Sequence, residues 1–389
     1  MPWIDEARLD DVDALEGLDR QESLRSLATA GAQVRRSLLS AREAGLDQWS
    51  TQDRPRSVLV AALGWSAVVA DVLDLLAGPH SPVPVTTRPG GPLPGWVGPL
   101  DLVVAVSQSG RAAGPLALAA EAARRGAQLL TIGAADSPLA EVCGRARGVH
   151  VDVASVVPSS RAALWSLLTP ALYAAGQLGL VEVSEDDLEG VAEVLTERAE
   201  ECRPSSDCFV NPAKDLALSF SDTVPVVLAD GPLTGVAARR LAAGLARTAR
   251  IPATHGVLPD AAAEIVACFD GPLAGGSGGP GGAGADIFAD PFLDGPSTLP
   301  LSLFLIRDAE PAAMTRADAD RINLASAVAD SARDGGVRVR EVMAPAGGPL
   351  TRLASIMALG DYAVTYAALG MGLDPIGSPH VEDLRRRTG

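Results

Sequence analysis

The sequence predicts an α/β protein made of two tandem halves, each with a parallel sheet that helices cover on both faces. Short buried apolar runs alternate with helical stretches along most of the chain, which is typical of parallel sheets with crossover helices. At 389 residues the chain is longer than a domain with one compact core usually is, and its length fits two domains of roughly 150 to 190 residues. A weak internal repeat indicates duplication, because segment 223–248 repeats the strand, glycine turn and helix of segment 57–78.

The first half begins with a helical arm over residues 1–50, in which leucine and valine recur at helical spacing among charged residues. A first domain is predicted over residues 51–200. Its strands are predicted in the runs SVLVAAL, VPVTT, DLVVAVS, AQLLTIG and HVDVAS. Gly110 is predicted to start a helix that runs through Arg125, and two helical stretches between residues 160 and 200 complete the domain.

The second domain is predicted over residues 201–389 and has the same layout. Its strands are predicted in the runs TVPVVLAD, LSLFLIRD and GVRVREVMA, and the apolar run from Leu353 to Leu373 is predicted to be a long helix. The glycine-rich run 275–284 follows no predicted strand and opens no helix. We therefore interpret it as a flexible loop and not as a nucleotide-binding turn.

Charge and cysteine content exclude several classes of function. The net charge of −16 argues against nucleic acid or an anionic membrane as a partner, because both bind to basic patches. The N-terminus is acidic and no uninterrupted apolar run of about 18 residues follows, so we expect a cytoplasmic protein. The four cysteines form no CxxC motif and have no histidine at metal spacing, so we predict no metal site and no cofactor.

Two predicted loops carry small hydroxyl residues directly after buried strands, GWSA at 64–67 and SQSG at 107–110. In an open parallel sheet, ligands bind outside the carboxyl ends of the strands, where helix N-termini direct free N–H groups at an anion. The alternative is that these serines only cap the following helices. The residues predicted to bind a phosphate are Gly64, Ser66, Ser107, Ser109 and Gly110.

These loops resemble those of a known family. The segments GWSA, SQSG and PSSRAALW, and in the second half NPAKDLA, ADGPLTGVAARR, LPDAAAEI and LGDYAVTYAALGMGLDP, are similar to the SIS (sugar isomerase) domain of bifunctional phosphoglucose/phosphomannose isomerases. The resemblance implies two SIS subdomains in tandem, each a flavodoxin-like three-layer αβα domain. It also implies a phosphorylated hexose as ligand, and a homodimer with active sites at the subunit interface.

The family pattern extends to the sugar site, with departures. By resemblance Ser66, Ser107 and Ser109 match phosphate ligands, and Arg161 matches an arginine at the sugar site. Trp65 replaces a glycine and Ala112 replaces a phosphate-binding threonine. Next to that alanine, Arg111 places a cation beside the predicted anion site.

The departures are larger at the catalytic positions. By resemblance Arg247 stands in place of the family's glutamate base, and an arginine is not a base at neutral pH. Arg385 takes the position of a lysine, and the ring-opening histidine is absent. The remaining candidates are Glu264 as base, His255, in a loop, as replacement for the histidine, and the nearby acid Asp260. Each of these three also has a purely structural interpretation.

Two functional hypotheses follow. The first is an isomerase that interconverts aldose and ketose phosphates such as mannose 6-phosphate and fructose 6-phosphate. The second is a sugar-phosphate sensor or regulatory partner that keeps the anion pocket and lacks turnover. A third, a purely structural interaction protein, predicts no binding of phosphosugars.

Overall fold

The computed structural model describes residues 3–78, 81–153, 162–274, 299–311 and 313–388, so the glycine-rich run 275–284 lies outside the described residues. The chain forms two compact units. We call Arg25–Glu197 the N-terminal unit, and Met1–Leu24 together with Arg198–Gly389 the C-terminal unit. Each has one parallel sheet, which confirms the predicted α/β class with two tandem domains.

The sheets contain five strands in the N-terminal unit, in the order β2-β1-β3-β4-β5, and four in the C-terminal unit, in the order β7-β6-β8-β9. Every pair of neighbouring strands is parallel. The strands are β1 (Val58–Ala62), β2 (Val85–Arg88), β3 (Leu102–Ser107), β4 (Gln128–Gly133), β5 (Val149–Asp152), β6 (Val224–Ala229), β7 (Thr254–Val257), β8 (Leu301–Arg307) and β9 (Arg338–Met343).

Helices connect and cover these strands. They are α1 (Glu6–Leu9), α2 (Val12–Leu18), α3 (Ser23–Ala28), α4 (Ala30–Glu43), α5 (Ala67–Ala77), α6 (Ala113–Arg124), α7 (Pro138–Arg145), α8 (Leu164–Gln177), α9 (Glu185–Glu201), α10 (Pro212–Ser219), α11 (Pro232–Gly244), α12 (Ala262–Ala267), α13 (Arg316–Asp334), α14 (Pro349–Gly370) and α15 (Pro379–Thr388). Helix α6 begins three residues later than predicted, because Gly110 has φ +62° and belongs to the preceding loop.

Continuous apolar strands form the core of the N-terminal unit. Every residue of β1 and β3 is buried, as expected for central strands that are covered on both faces. On one face, Leu118 and Ala119 of α6 and Leu139 of α7 pack against these strands. Helix α8, which is buried along most of its length, contacts α4, α5 and the strands β3 and β4.

In the C-terminal unit, α12 and α13 pack against β6 and β8 in one hydrophobic cluster. Helix α14 contacts α10 and α11. By length and hydropathy α14 alone among the described helices could span a membrane, but 83% of its most apolar window is buried inside the protein. This burial is typical of the core helix of a globular unit.

The N-terminal residues are held on the end of α14. The amide of Asp5 donates to the carbonyl of Gly370 at 3.1 Å, and the amide of Ile4 donates to the Ser221 hydroxyl at 3.4 Å. A Cβ atom on Gly370 would lie 2.5 Å from the Ile4 side chain, so only glycine permits this approach. Helices α1 and α2 therefore pack as part of the C-terminal unit.

Candidate functional site

The order of the strands creates a topological switch point in the N-terminal unit. From β1 the chain crosses to β2 on one side of the sheet, and β3 lies on the other side of β1. The two loops that follow β1 and β3 therefore diverge at the carboxyl edge, which is where ligands of open α/β sheets bind. Ser66 follows β1 and Ser107 ends β3, so the fold brings the predicted serines to this switch point.

The loop after β1 is a tight turn into α5. Gly64 has φ +64° and begins a single turn of 3-10 helix that ends at Ser66. A Cβ on Gly64 would meet no atom within 4 Å, so it is the backbone conformation that requires glycine here. Ser66 is buried, and its side chain does not cap α5. The capping interpretation of Ser66 is therefore wrong for this helix.

The loop after β3 is held close to the start of α7. A Cβ on Gly110 would lie 2.1 Å from the Ser137 hydroxyl, so this position accepts only glycine. Ser107 is buried and its hydroxyl accepts a 3.3 Å hydrogen bond from the amide of Ala112, while exposed Ser109 accepts one of the same length from Arg111. These long hydrogen bonds stay within the loop, and no side chain caps α6.

Two arginines lie at this edge of the sheet. Arg111 is exposed and directly follows Gly110. Arg88, also exposed, ends β2 and pairs in register with Ala61 of β1. Our sequence reasoning missed Arg88, although it comes directly after the predicted strand VPVTT. The switch point thus combines serine hydroxyls, two helices without side-chain caps and arginine charges.

The predicted catalytic residues lie in the C-terminal unit. His255 is exposed and lies in edge strand β7, opposite Val227 of β6, so its predicted placement in a loop is wrong. Exposed Asp260 follows this strand, and exposed Glu264 lies on α12. These three side chains therefore belong to one segment at the sheet edge.

The two predicted arginines lie elsewhere in this unit. Arg247 is partly buried in a π-helical turn, Leu245–Ala249, that continues α11. Such turns occur often at functional sites. Arg385 lies on α15, and Arg161, the predicted sugar ligand, lies outside the described residues. Within the described part of the chain, no group of three or more His, Cys, Asp or Glu residues could hold a metal ion.

Comparison with known sequences shows which proteins the chain resembles. Residues 209–388 match the family model of the bacterial phospho-glucose isomerase C-terminal SIS domain. The chain is 28% identical to a bifunctional phosphoglucose/phosphomannose isomerase of Caldicellulosiruptor bescii over 208 residues, which are 52% of this chain and 59% of the relative. The chain is thus similar to phosphoglucose/phosphomannose isomerases, with the SIS-domain match confined to residues 209–388, and the aligned segment spans less than two thirds of the relative's length.

Solved structures share the fold at low sequence identity. A hypothetical protein of Thermus thermophilus matches with a TM-score of 0.67 at 15% identity, covering 100% of this chain and 99% of its own. A glucose-6-phosphate isomerase of Chlamydia trachomatis gives 0.63 at 12% identity, covering 97% and 84%. The C-terminal domain of glucosamine-fructose-6-phosphate aminotransferase from Francisella tularensis gives 0.60 at 12% identity, covering 91% and 97%.

Proposed function

We propose that this chain, which resembles phosphoglucose/phosphomannose isomerases, binds a phosphorylated hexose at the switch point of the N-terminal unit. The observation that supports this is the meeting of two serine loops with helices α5 and α6, neither of which has a side-chain cap. A phosphate would receive hydrogen bonds from Ser66, Ser107 and Ser109 and from first-turn amides. Gly64 and Gly110 would permit close approach of the backbone, and Arg111 would add a charge.

Catalysis on the bound sugar is the first candidate function, and the resemblance to isomerases favours it. In aldose–ketose isomerisation a base removes the proton from C2 and delivers it to C1, while a second group opens the sugar ring. We propose Glu264 as the base, with His255, Asp260 or Arg385 as the group that assists ring opening. Arg161 and Arg247 are proposed to bind the sugar.

Binding without turnover is the second candidate, and the residue at the family's base position favours it. Arg247 occupies that position, and its guanidinium group has no lone pair available to accept a proton. The proposed substitutes His255, Asp260 and Glu264 are all exposed to water. A chain with this pattern would act as a sugar-phosphate sensor or as a regulatory partner.

One experiment tests binding and turnover together. Mannose 6-phosphate or glucose 6-phosphate is mixed with the full chain, binding is measured by calorimetry, and fructose 6-phosphate is detected by NMR. We expect saturable binding that weakens at least tenfold in the double variant Ser107→Ala with Ser109→Ala, because two hydroxyl donors are lost. Ser50→Ala, at an exposed serine of an unrelated turn, is the matched control and should bind as the parent does.

The outcomes separate the hypotheses. Formation of fructose 6-phosphate that disappears in Glu264→Gln or His255→Ala supports an isomerase. Saturable binding without product supports a sensor. Equal binding by the parent and the double serine variant would show that the proposed phosphate site is wrong.

We further propose that the protein is a cytoplasmic homodimer and that its SIS domains extend over residues 51–200 and 201–389, preceded by a helical arm over residues 1–50. Family resemblance supports the dimer. Light scattering coupled to gel filtration measures the mass of the assembly, and a mass near 39.8 kDa would contradict the dimer.

A further inference from the structure

The C-terminal unit has a switch point of its own, between β6 and β8. Asp230 follows β6 directly, and Asp308 follows β8 directly. Only 2% of Asp230 is exposed, so a carboxylate is buried at the edge of the sheet where a ligand anion would bind. Burial of a carboxylate costs free energy unless hydrogen-bond donors surround it. The partners of Asp230 therefore indicate which kind of group this site binds.

The partners of Asp230 are those of an anion-binding site. The Thr234 hydroxyl, in the first turn of α11, donates to Oδ1 at 2.8 Å. The amide of Asp308 lies 3.0 Å from each of the two carboxylate oxygens, and the Arg321 guanidinium group binds Oδ2. A strand-end amide, a hydroxyl of a helix N-terminus and a guanidinium group thus converge on one anion.

The neighbouring carboxylate, that of Asp308, is neutralised by an arginine of its own. The Asp308 carboxylate is held by Arg352, whose Nε and Nη2 atoms lie 2.7 and 3.2 Å from its two oxygens. Each carboxylate at the switch point therefore has its own arginine. Removal of the Asp230 carboxylate would leave Arg321 and the amide of Asp308 with no anion between them.

The N-terminal unit lacks this internal anion. Gly64 and Gly231 hold equivalent places after β1 and β6, so the residue that corresponds to Asp230 is Leu63. Leu63 is apolar and 48% exposed, so its side chain supplies no carboxylate. At this equivalent position the C-terminal unit thus has a carboxylate, Asp230, and the N-terminal unit has an apolar side chain, Leu63.

We propose that Asp230 is a built-in anion that fills a phosphate-type site in the C-terminal unit, whose donors are Thr234, the amide of Asp308 and Arg321. Exogenous anions are excluded from this unit, which leaves one open anion site per chain. The occupied site itself does not depend on the function proposed above. Only the count of open sites rests on that function.

The test replaces the internal anion by inorganic phosphate. Asp230→Ala is made in the full chain that also carries Ser107→Ala and Ser109→Ala, so that the N-terminal unit does not contribute. Thermal unfolding is then followed as phosphate is raised at constant ionic strength. We expect phosphate to raise the unfolding temperature of this variant by about 4 °C more than that of the same chain with Asp230 intact, with saturation.

Two variants serve as controls. Asp230→Asn keeps the space filled by a neutral side chain, so it should gain no more from phosphate than the chain with Asp230 intact. Asp230→Ala combined with Arg321→Ala should lose the gain, because the cation that binds phosphate is absent. If Asp230→Ala is not recovered folded, Asp230→Ser is used as the test variant, because it also removes the carboxylate.

The outcomes are distinct. A saturable gain that is limited to Asp230→Ala or Asp230→Ser, absent in Asp230→Asn and dependent on Arg321 supports the proposal. An equal gain in all chains reflects general salt stabilisation and overturns it, as does no gain at all. Neither result bears on phosphosugar binding by the N-terminal unit, which the serine variants test separately.

Discussion

At the scale of single residues, the proposed phosphate site makes a prediction about position 63, where the N-terminal unit has leucine. Leu63→Asp would introduce there the carboxylate that the C-terminal unit carries at Asp230. Because like charges a few ångströms apart repel, we expect phosphosugar affinity to fall about tenfold or more. Calorimetry measures this, with Leu63→Asn as the uncharged control of the same shape. Equal affinities for the two variants would contradict the assignment.

His150 is a residue whose titration should affect stability. Its Nδ1 lies 2.8 Å from the Thr131 hydroxyl, and within the described residues its buried Nε2 has no hydrogen-bond partner. Burial lowers the pKa of His150 below its ordinary value of 6.5, although Asp152 opposes the shift. The unfolded chain therefore binds this proton more readily than the folded chain does.

The sign of the pH effect follows from that pKa. Neutral His150 makes its full contribution to the free energy of unfolding above about pH 6.5. This contribution is lost as pH falls through the lowered pKa that His150 has in the folded chain. Urea unfolding between pH 5 and about 8 should show this loss, and it should shrink in His150→Gln. His380→Gln, at an exposed histidine, is the control. An unchanged pH profile in His150→Gln would refute the prediction.

At the scale of elements, the only lysine of the chain ties the N-terminal helices to α10. Lys214 is fully buried, and its Nζ donates to the carbonyl of Pro204 at 2.9 Å and lies 3.4 Å from Asp10. It also lies 5.6 Å from the centre of the Tyr366 ring. The same Asp10 accepts the amide of Cys208 at 2.9 Å, so the segment before α10 and the α1–α2 segment are joined through one carboxylate.

Lys214→Met removes these polar contacts while it preserves the length of the side chain. We expect a loss of about 1 to 3 kcal/mol in the free energy of unfolding, because the Pro204 carbonyl and Asp10 lose a buried donor. Chemical unfolding measures it. Arg386→Met, which removes an exposed ion pair with Asp383, should cost far less, and a similar cost for both would contradict the role of Lys214.

The strands that the sequence predicts correctly are those with a strong local pattern of apolar residues. The buried runs of β1, β3, β6 and β8 are continuous and apolar, and each was predicted within two residues of its observed bounds. Strand β7 was missed, because its four residues THGV are half exposed and show no alternation of apolar and polar residues. Only its pairing with β6 makes this segment a strand, and pairing depends on distant residues.

At the scale of the whole molecule, the net charge of −16 gives no general attraction for a phosphate dianion. The proposed phosphate binding must therefore come from local donors, and the sequence places candidate donors in loops after β1 and β3. The sequence alone determined the α/β class, the resemblance to the isomerase family and the positions of these serine loops, since each is a matter of short segments and their order.

The tertiary structure decided which loops meet. Strand order puts Arg88 one strand away from Gly64 and sets the carboxylate of Asp230 against the amide of Asp308, 78 residues along the chain. No local pattern marks either relation, because both arise from parallel pairing of strands that are distant in sequence. The sequence thus specified a chain with two copies of one fold. Only the folded units revealed that the second copy supplies its own anion, because a buried carboxylate is recognised by the donors packed around it.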